Sequence, residues 1–421
     1  MAYLRVIFPW VIVVLVIAGA ALFYGSDSAA ASLIISAVVF VVIGLAIALN
    51  AIEVTNGAII AIVVLFGFAI ASWVSGYFDS AAPEYATLGA AGAVWLAGRS
   101  GGLKAERAET LWRVTLVIGS VIAAYHFFDF ILSPDTLYGS PRAYHVSRLS
   151  GPFLSANTAA TFYGLLSMMA LGEFARALKS STGASSALIF IERGAFSSIV
   201  LALSVTCLIL TASRAGIAFF AASACLFAGW ELWSVRSSGG RWGWQSTLGP
   251  VLGLLAAGVF FFELSGDQVV ERFTYLDQNL DGRNALIEAY WSGISVAPWF
   301  GHGLGGFTYA NLLIADATNA RLLLGQGAAH NVYLQWLLQG GIVGFVAISG
   351  VIGAILWSLR EGLERRKRQR SYLKSTICIA VFVGLHGWVD YALDVTGMMW
   401  WVAWVLGLGC GIAAGGSGRK T

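Results

Sequence analysis

The sequence predicts an all-α integral membrane protein of about 12 transmembrane helices, and three observations predict it. Of 421 residues, 58% are hydrophobic and only 11% charged, whereas water-soluble domains carry roughly 25% charged residues. The apolar residues fall into blocks near the ~20 residues that a helix needs to cross hydrocarbon, which selects helices over the weaker alternation of a β-barrel. Basic residues gather on one side of these blocks, as the positive-inside rule requires.

Taken in order, the blocks predict spans at about 6–24, 30–50, 57–75, 84–98, 112–132, 155–173, 197–212, 215–233, 248–264, 331–357, 376–392 and 396–414. The first is too long for the apolar core of a signal peptide and lacks an Ala-x-Ala site, so it is expected to stay as the first helix. With the amino terminus cytoplasmic, only Arg142, Arg148, Arg214, Arg272, Arg283 and Arg321 fall outside, and the other 19 of the 25 Lys and Arg residues fall inside. That asymmetry places both termini in the cytoplasm. The run Glu364-Arg365-Arg366-Lys367-Arg368-Gln369-Arg370 then serves as a topological anchor. All four cysteines, Cys207, Cys225, Cys378 and Cys410, lie in apolar blocks and read as small core residues, without disulfide or zinc spacing.

The chain reads as one polytopic domain over residues 1–421, interrupted by one long connection at residues 265–329. A segment of that length at a membrane surface is functional more often than passive, and it is expected to form a small helical cap. Asp281 is placed to cap a helix through Arg283 and Trp291 that carries Leu286, Ile287, Tyr290, Trp291 and Ile294 on one stripe and ends before Pro298.

Chemistry is expected at the outer face, where a protein that keeps its cations inside still places Arg148, Arg214, Arg283 and His330. Arg214 occupies the tight junction Thr211-Ala212-Ser213-Arg214-Ala215-Gly216 between two spans, where a charge is costly unless it is paired or snorkels. Together the arginines would form a planar, permanently charged cradle for a phosphate or diphosphate. His330, at the end of the long loop, is a candidate general base. Arg142, Arg272 and Arg321 read as surface arginines, and His126, His145, His302 and His386 share the outer side with His330 without being singled out. The glycine run Gly301-His302-Gly303-Leu304-Gly305-Gly306 follows no strand and fails the P-loop pattern, so no nucleotide site is read there. No metal, cofactor or nucleic acid is expected, and the energy for a reaction outside must arrive with the substrate.

Three pieces, Asp281-Gly282-Arg283, Pro298-Trp299-Phe300-Gly301-His302-Gly303-Leu304-Gly305-Gly306-Phe307 and His330-Asn331-Val332-Tyr333-Leu334-Gln335-Trp336, resemble the O-antigen ligase and polymerase superfamily in residues and order. Ser213-Arg214-Ala215-Gly216 upstream and His386-Gly387-Trp388-Val389-Asp390-Tyr391 downstream extend the resemblance to roughly residues 148–410. It implies a metal-independent glycosyltransferase of the inner membrane that moves a glycan from undecaprenyl diphosphate to an acceptor hydroxyl at the periplasmic face. Arg214 and Arg283 would hold the diphosphate, His330 would deprotonate the acceptor, and Arg148 would support them. The acceptor would be lipid A-core in a ligase, or a second lipid-linked glycan in a polymerase. A transporter or flippase of lipid-linked sugars is the competing class, disfavoured because few charges fall mid-span and no pair of broken helices marks two matching halves.

Overall fold

The computed structural model describes residues 2–26, 28–54, 63, 67, 78–142, 147–180, 186–237 and 276–415. Nearly all of the predicted 57–75 span, all of the 248–264 span and Arg272 lie outside them. The described residues form an all-α assembly in which α1 (Ala2–Leu22), α2 (Ala29–Ala48), α3 (Phe78–Gly102), α4 (Ala105–Leu132), α5 (Ala156–Ser180), α6 (Ser186–Leu210) and α7 (Arg214–Ser237) precede the long connection. After it come α8 (Leu276–Val296), α9 (Phe307–Ile314), α10 (Ala320–Leu323), α11 (Val332–Arg365), α12 (Arg370–Gly387) and α13 (Thr396–Ala414). Five of the described helices, α2, α4, α7, α11 and α13, are long and apolar enough to cross a membrane. Large apolar side chains such as Ile34, Val41, Val121, Phe128, Ile199 and Val346 point outward. This is the arrangement a lipid solvent favours, since backbone groups are satisfied within each helix and apolar surface carries no penalty outside.

The centre of the bundle is α13, whose Trp400, Trp401 and Trp404 are fully buried. A buried indole N–H needs an acceptor, and Trp400 donates to Thr87 O at 3.2 Å while Trp404 donates to Thr115 Oγ1 at 2.9 Å. Against α3 the two backbones nearly touch: a Cβ on Gly407 would lie 2.2 Å from Trp95 O, and one on Gly411 2.1 Å from Arg99 O. Small residues permit this approach, which is how helices gain packing energy where no hydrophobic force separates them from lipid. Cys207, Cys378 and Cys410 are buried as expected, whereas Cys225 is exposed on the outward side of α7.

At the end of the bundle rich in Lys and Arg, buried ion pairs tie four helices together. Glu231 of α7 accepts from Lys179 of α5 at 2.5 Å and from Lys374 of α12 at 3.1 Å. Arg176 of α5 meets Glu109 of α4 at 2.5 Å and donates to Tyr372 of α12 at 2.9 Å, and Arg113 reaches Glu173 at 2.8 Å. Tyr372 in turn donates to Glu173. Charges this deep persist only when paired and hydrogen-bonded.

The expected cap helix exists but starts earlier than its sequence signal. α8 begins at Leu276, so Asp281 and Arg283 lie inside it and Asp281 does not cap it. Of the predicted apolar stripe, Leu286, Tyr290 and Ile294 are buried, whereas Ile287 and Trp291 are exposed, so the buried stripe is narrower than the apolar one. That stripe packs with Phe307 and Ala310 of α9, Leu323 of α10, and Leu334 and Leu338 of α11 in a second hydrophobic cluster, separate from the main core.

Candidate functional site

The decisive local feature is a break in α11. Gly341 adopts φ 58°, ψ −166°, so the helix divides into a buried nine-residue piece, residues 332–340, and an outward-facing piece from Ile342 onward. A broken helix strands carbonyls on one side and amides on the other. The loop after α8 supplies their partners: His302 N donates to Leu338 O at 2.9 Å, while Ile342 N and Val343 N donate to Pro298 O and Trp299 O at 2.8 and 3.0 Å. Gly301 and Gly341 cross so closely that a Cβ on either would lie within 2.6 Å of the other's backbone segment. The glycine run is therefore a clasp between cap and bundle. His302 is consumed in it, buried with Nε2 2.9 Å from Gly293 O. The helix over the predicted 331–357 span is therefore broken at Gly341: Leu334 and Leu338 pack against α8 and α9, and the outward-facing stretch starts after Gly341.

His330 stands immediately before this nine-residue piece. Asn331 caps the helix, its Oδ1 accepting from Tyr333 N and Leu334 N at 2.9 and 3.1 Å. The tight entry forces His330 into the left-handed region at φ 52°, a conformation that costs a non-glycine residue roughly 1–3 kcal/mol and clusters at functional sites. Its ring meets Tyr391 edge to face, centroids 4.8 Å apart, and remains partly accessible.

Arg214 is the first residue of α7. The chain reverses between α6 and α7 in three residues: Ala212 takes φ 48°, Thr211 Oγ1 accepts from Ser213 N at 3.2 Å, and Ser213 Oγ accepts from Gly216 N at 3.3 Å. Gly216 then lets α7 approach α5, since a Cβ there would lie 2.7 Å from Ala160 Cβ. Ser213 and Gly216 thus shape the turn, and Arg214 is partly exposed at a helix N-terminus, where anions are favoured.

Arg148 is buried behind this turn. Its Nε donates to Thr211 O at 2.6 Å and its Nη2 to Asn157 Oδ1 at 2.9 Å, while Leu149 N donates to Leu210 O at 3.0 Å. Arg148 therefore closes the C-terminus of α6 and fixes the reversal that carries Arg214. Beyond Asn157, Thr161 Oγ1 lies 2.8 Å from His386 Nδ1, and Tyr333 OH donates to Gly384 O at 2.8 Å. These contacts link the starts of α5, α7 and α11 with the end of α12, so the structure gathers Arg148, Arg214, His330, His386 and Tyr391 at one end of the bundle. Arg283 lies in α8, two turns before the buried Tyr290; its side chain is outside the described residues. The pairing of Thr161 with His386 gave no local sequence signal, because the two residues are 225 positions apart.

Residues 199–349 match the family model described as O-antigen ligase. The chain carries an O-antigen ligase family domain. That match supports a glycan-transferase activity, and the long apolar helices support its taking place at a membrane. The matched stretch holds Arg214, Arg283, the glycine clasp and His330; Arg148, His386 and Tyr391 flank it in sequence and join it only through the fold. No curated protein matches the chain.

One further arginine was missed. Arg142, read from sequence as a surface residue, has a side chain only 2% exposed. It follows a hairpin of β1 (Thr136–Leu137) and β2 (Ser140–Pro141), in which Tyr138 and Gly139 both take positive φ, 52° and 78°. A two-residue turn of this kind matches strand twist, and it directs the next residue inward. Burial pushes the Arg142 guanidinium below its ordinary value, against the opposing pull of Asp129. Arg321, by contrast, is exposed as expected.

Proposed function

We propose that the protein is an O-antigen ligase of the bacterial inner membrane, which passes a glycan from undecaprenyl diphosphate to a hydroxyl of lipid A-core at the periplasmic face. The observation that carries this reading is His330: an accessible histidine in strained backbone at the seam between cap and bundle, at the end of the molecule where Arg214 begins α7. In the proposed reaction His330 takes the proton of the acceptor hydroxyl, whose oxygen attacks the anomeric carbon. The bond from that carbon to the diphosphate breaks, the electron pair leaves with the diphosphate, and configuration inverts. Arg214 and Arg283 hold the departing charge, so the leaving group needs stabilisation more than protonation. Arg148 supports them by fixing the Thr211–Arg214 reversal. No metal enters this scheme.

Transfer by purified protein from undecaprenyl-diphosphate glycan to lipid A-core, measured beside donor binding, tests the assignment. His330→Ala is expected to lower the transfer rate by about 10²–10⁴ while donor binding persists, as loss of a positioned base does. Unchanged transfer by the variant removes His330 as the base. Elongation of one lipid-linked glycan by another, with lipid A-core left untouched, identifies a polymerase instead.

A further inference from the structure

Where α11 begins and α12 ends, four rings meet in two pairs. His330 stands edge to face with Tyr391 at 4.8 Å, and Tyr333, three residues after His330, tilts against Trp388, three residues before Tyr391, at 5.3 Å. The second pair is therefore the next one along from the candidate base. Trp388 caps the C-terminus of α12, its N–H donating to Leu385 O at 3.2 Å. Tyr333, the ring against it, is fixed at both ends: its backbone N–H donates to Asn331 Oδ1 at 2.9 Å and its hydroxyl to Gly384 O at 2.8 Å. Yet Trp388 is 64% exposed. A large aromatic side chain that is held in place and left uncovered is the form a binding surface takes, whereas a tryptophan that only anchors a helix end among headgroups needs no such support.

The end of α12 separates two sides of the site. His386 faces α5 and α7, with Nδ1 2.8 Å from Thr161 Oγ1 and its ring 6.5 Å from Phe219, and Arg214 begins that same α7. Trp388 faces α11 instead. In an inverting transfer the attacking oxygen approaches the anomeric carbon on the face opposite the leaving group. With the diphosphate on Arg214, the acceptor belongs on the α11 side, where Trp388 and Tyr333 lie. A pyranose ring has a face of C–H bonds and an edge of hydroxyls, which suits the negative face of an indole and the N–H at its edge.

We propose that Trp388, positioned by Tyr333, is the platform on which the acceptor sugar stacks while His330 takes its hydroxyl proton, so that Trp388 sets affinity for the acceptor and not for the donor. The proposal rests on the glycan-transfer reading for its ligand class. Two measurements on the purified full-length protein in detergent test it: transfer kinetics at varied lipid A-core and at varied donor, and calorimetric titration with the core oligosaccharide freed from lipid A, which requires no transfer. Trp388→Ala is expected to raise the acceptor KM and to weaken oligosaccharide binding by about tenfold each, the scale of one aromatic contact, with donor KM and the melting midpoint unchanged. Trp388→Phe, which keeps an aromatic face, should recover most of the loss. Tyr333→Phe, which keeps the ring but releases it from Gly384, should fall between the two. Unchanged acceptor KM and binding in Trp388→Ala, equal loss of donor and acceptor affinity, a raised donor KM alone, no recovery by Trp388→Phe, or absence of oligosaccharide binding to the wild-type protein each overturns the proposal. Oligosaccharide binding that depends on Trp388, in a protein that transfers nothing to lipid A-core, overturns the ligase reading and leaves the platform standing; transfer to lipid A-core that is indifferent to Trp388 does the reverse.

Discussion

Replacing Arg148 by Ala separates a positioning arginine from one that touches the donor. Two of its guanidinium nitrogens are engaged, with Thr211 O at 2.6 Å and Asn157 Oδ1 at 2.9 Å, and Thr211 is fully buried. Hydrogen bonds to charged groups contribute about 1.5–3 kcal/mol each, so losing both, after partial relaxation, costs about 3–5 kcal/mol and leaves a helix-terminal carbonyl without its partner. The reversal that carries Arg214 then loosens, and a displacement of about 1 Å at a reacting centre can lower the rate ~10²-fold. Thermal unfolding in detergent and transfer kinetics at varied donor concentration read both consequences. The melting midpoint and kcat should fall together, with donor KM changed by less than about threefold, since no uniform binding contact is removed. Arg148→Lys should be intermediate, because one ammonium cannot serve both acceptors in the fork geometry. An Arg148→Ala protein with an unchanged melting midpoint and a strongly raised donor KM would refute this reasoning and place Arg148 on the diphosphate.

Arg214→Lys is expected to lose most transfer activity while the protein inserts and folds normally, since a planar fork becomes a point charge; near-normal kcat/KM would reduce Arg214 to a snorkelling residue. Glu231→Ala should destabilise the basic end by about 3–5 kcal/mol, because it leaves the buried Lys374 and the partly buried Lys179 without their shared carboxylate; an unaltered melting midpoint would show that the pair is energetically idle. For orientation, a cysteine at the exposed Ala317, in a background with the exposed Cys225 replaced, should react with an impermeant thiol reagent in intact spheroplasts. Reaction only after lysis would reverse the proposed topology.

How far the sequence reaches is visible in particular residues. The helical membrane class follows from block length and composition, because a bilayer forces every spanning segment to satisfy its own backbone, and the ten predicted spans within the described residues each overlap a helix. Arg214 and His330 can be picked as candidates from the sequence because a charge at a span boundary and a histidine beside a long loop are local features, and the structure sets both at one end of the bundle. The start of α8 was not legible, since polar residues before Asp281 give no periodic signal, and neither was the break in α11, where Gly340-Gly341 lies within an otherwise continuous apolar run.

What tertiary structure alone decided is which groups meet. Composition cannot distinguish Arg142, turned inward by a two-residue hairpin, from the exposed Arg321, since both read as single arginines in outer loops. Nor can it reveal that Arg148 closes a helix 63 residues away, or that Thr161 and His386 pair across 225 positions. Hydrophobic periodicity is a property of neighbours along the chain, and it was enough to predict a lipid solvent and the helices. Hydrogen bonds and ion pairs between helices depend on packing and on a stranded donor finding an acceptor, and these are settled only when the helices are brought together.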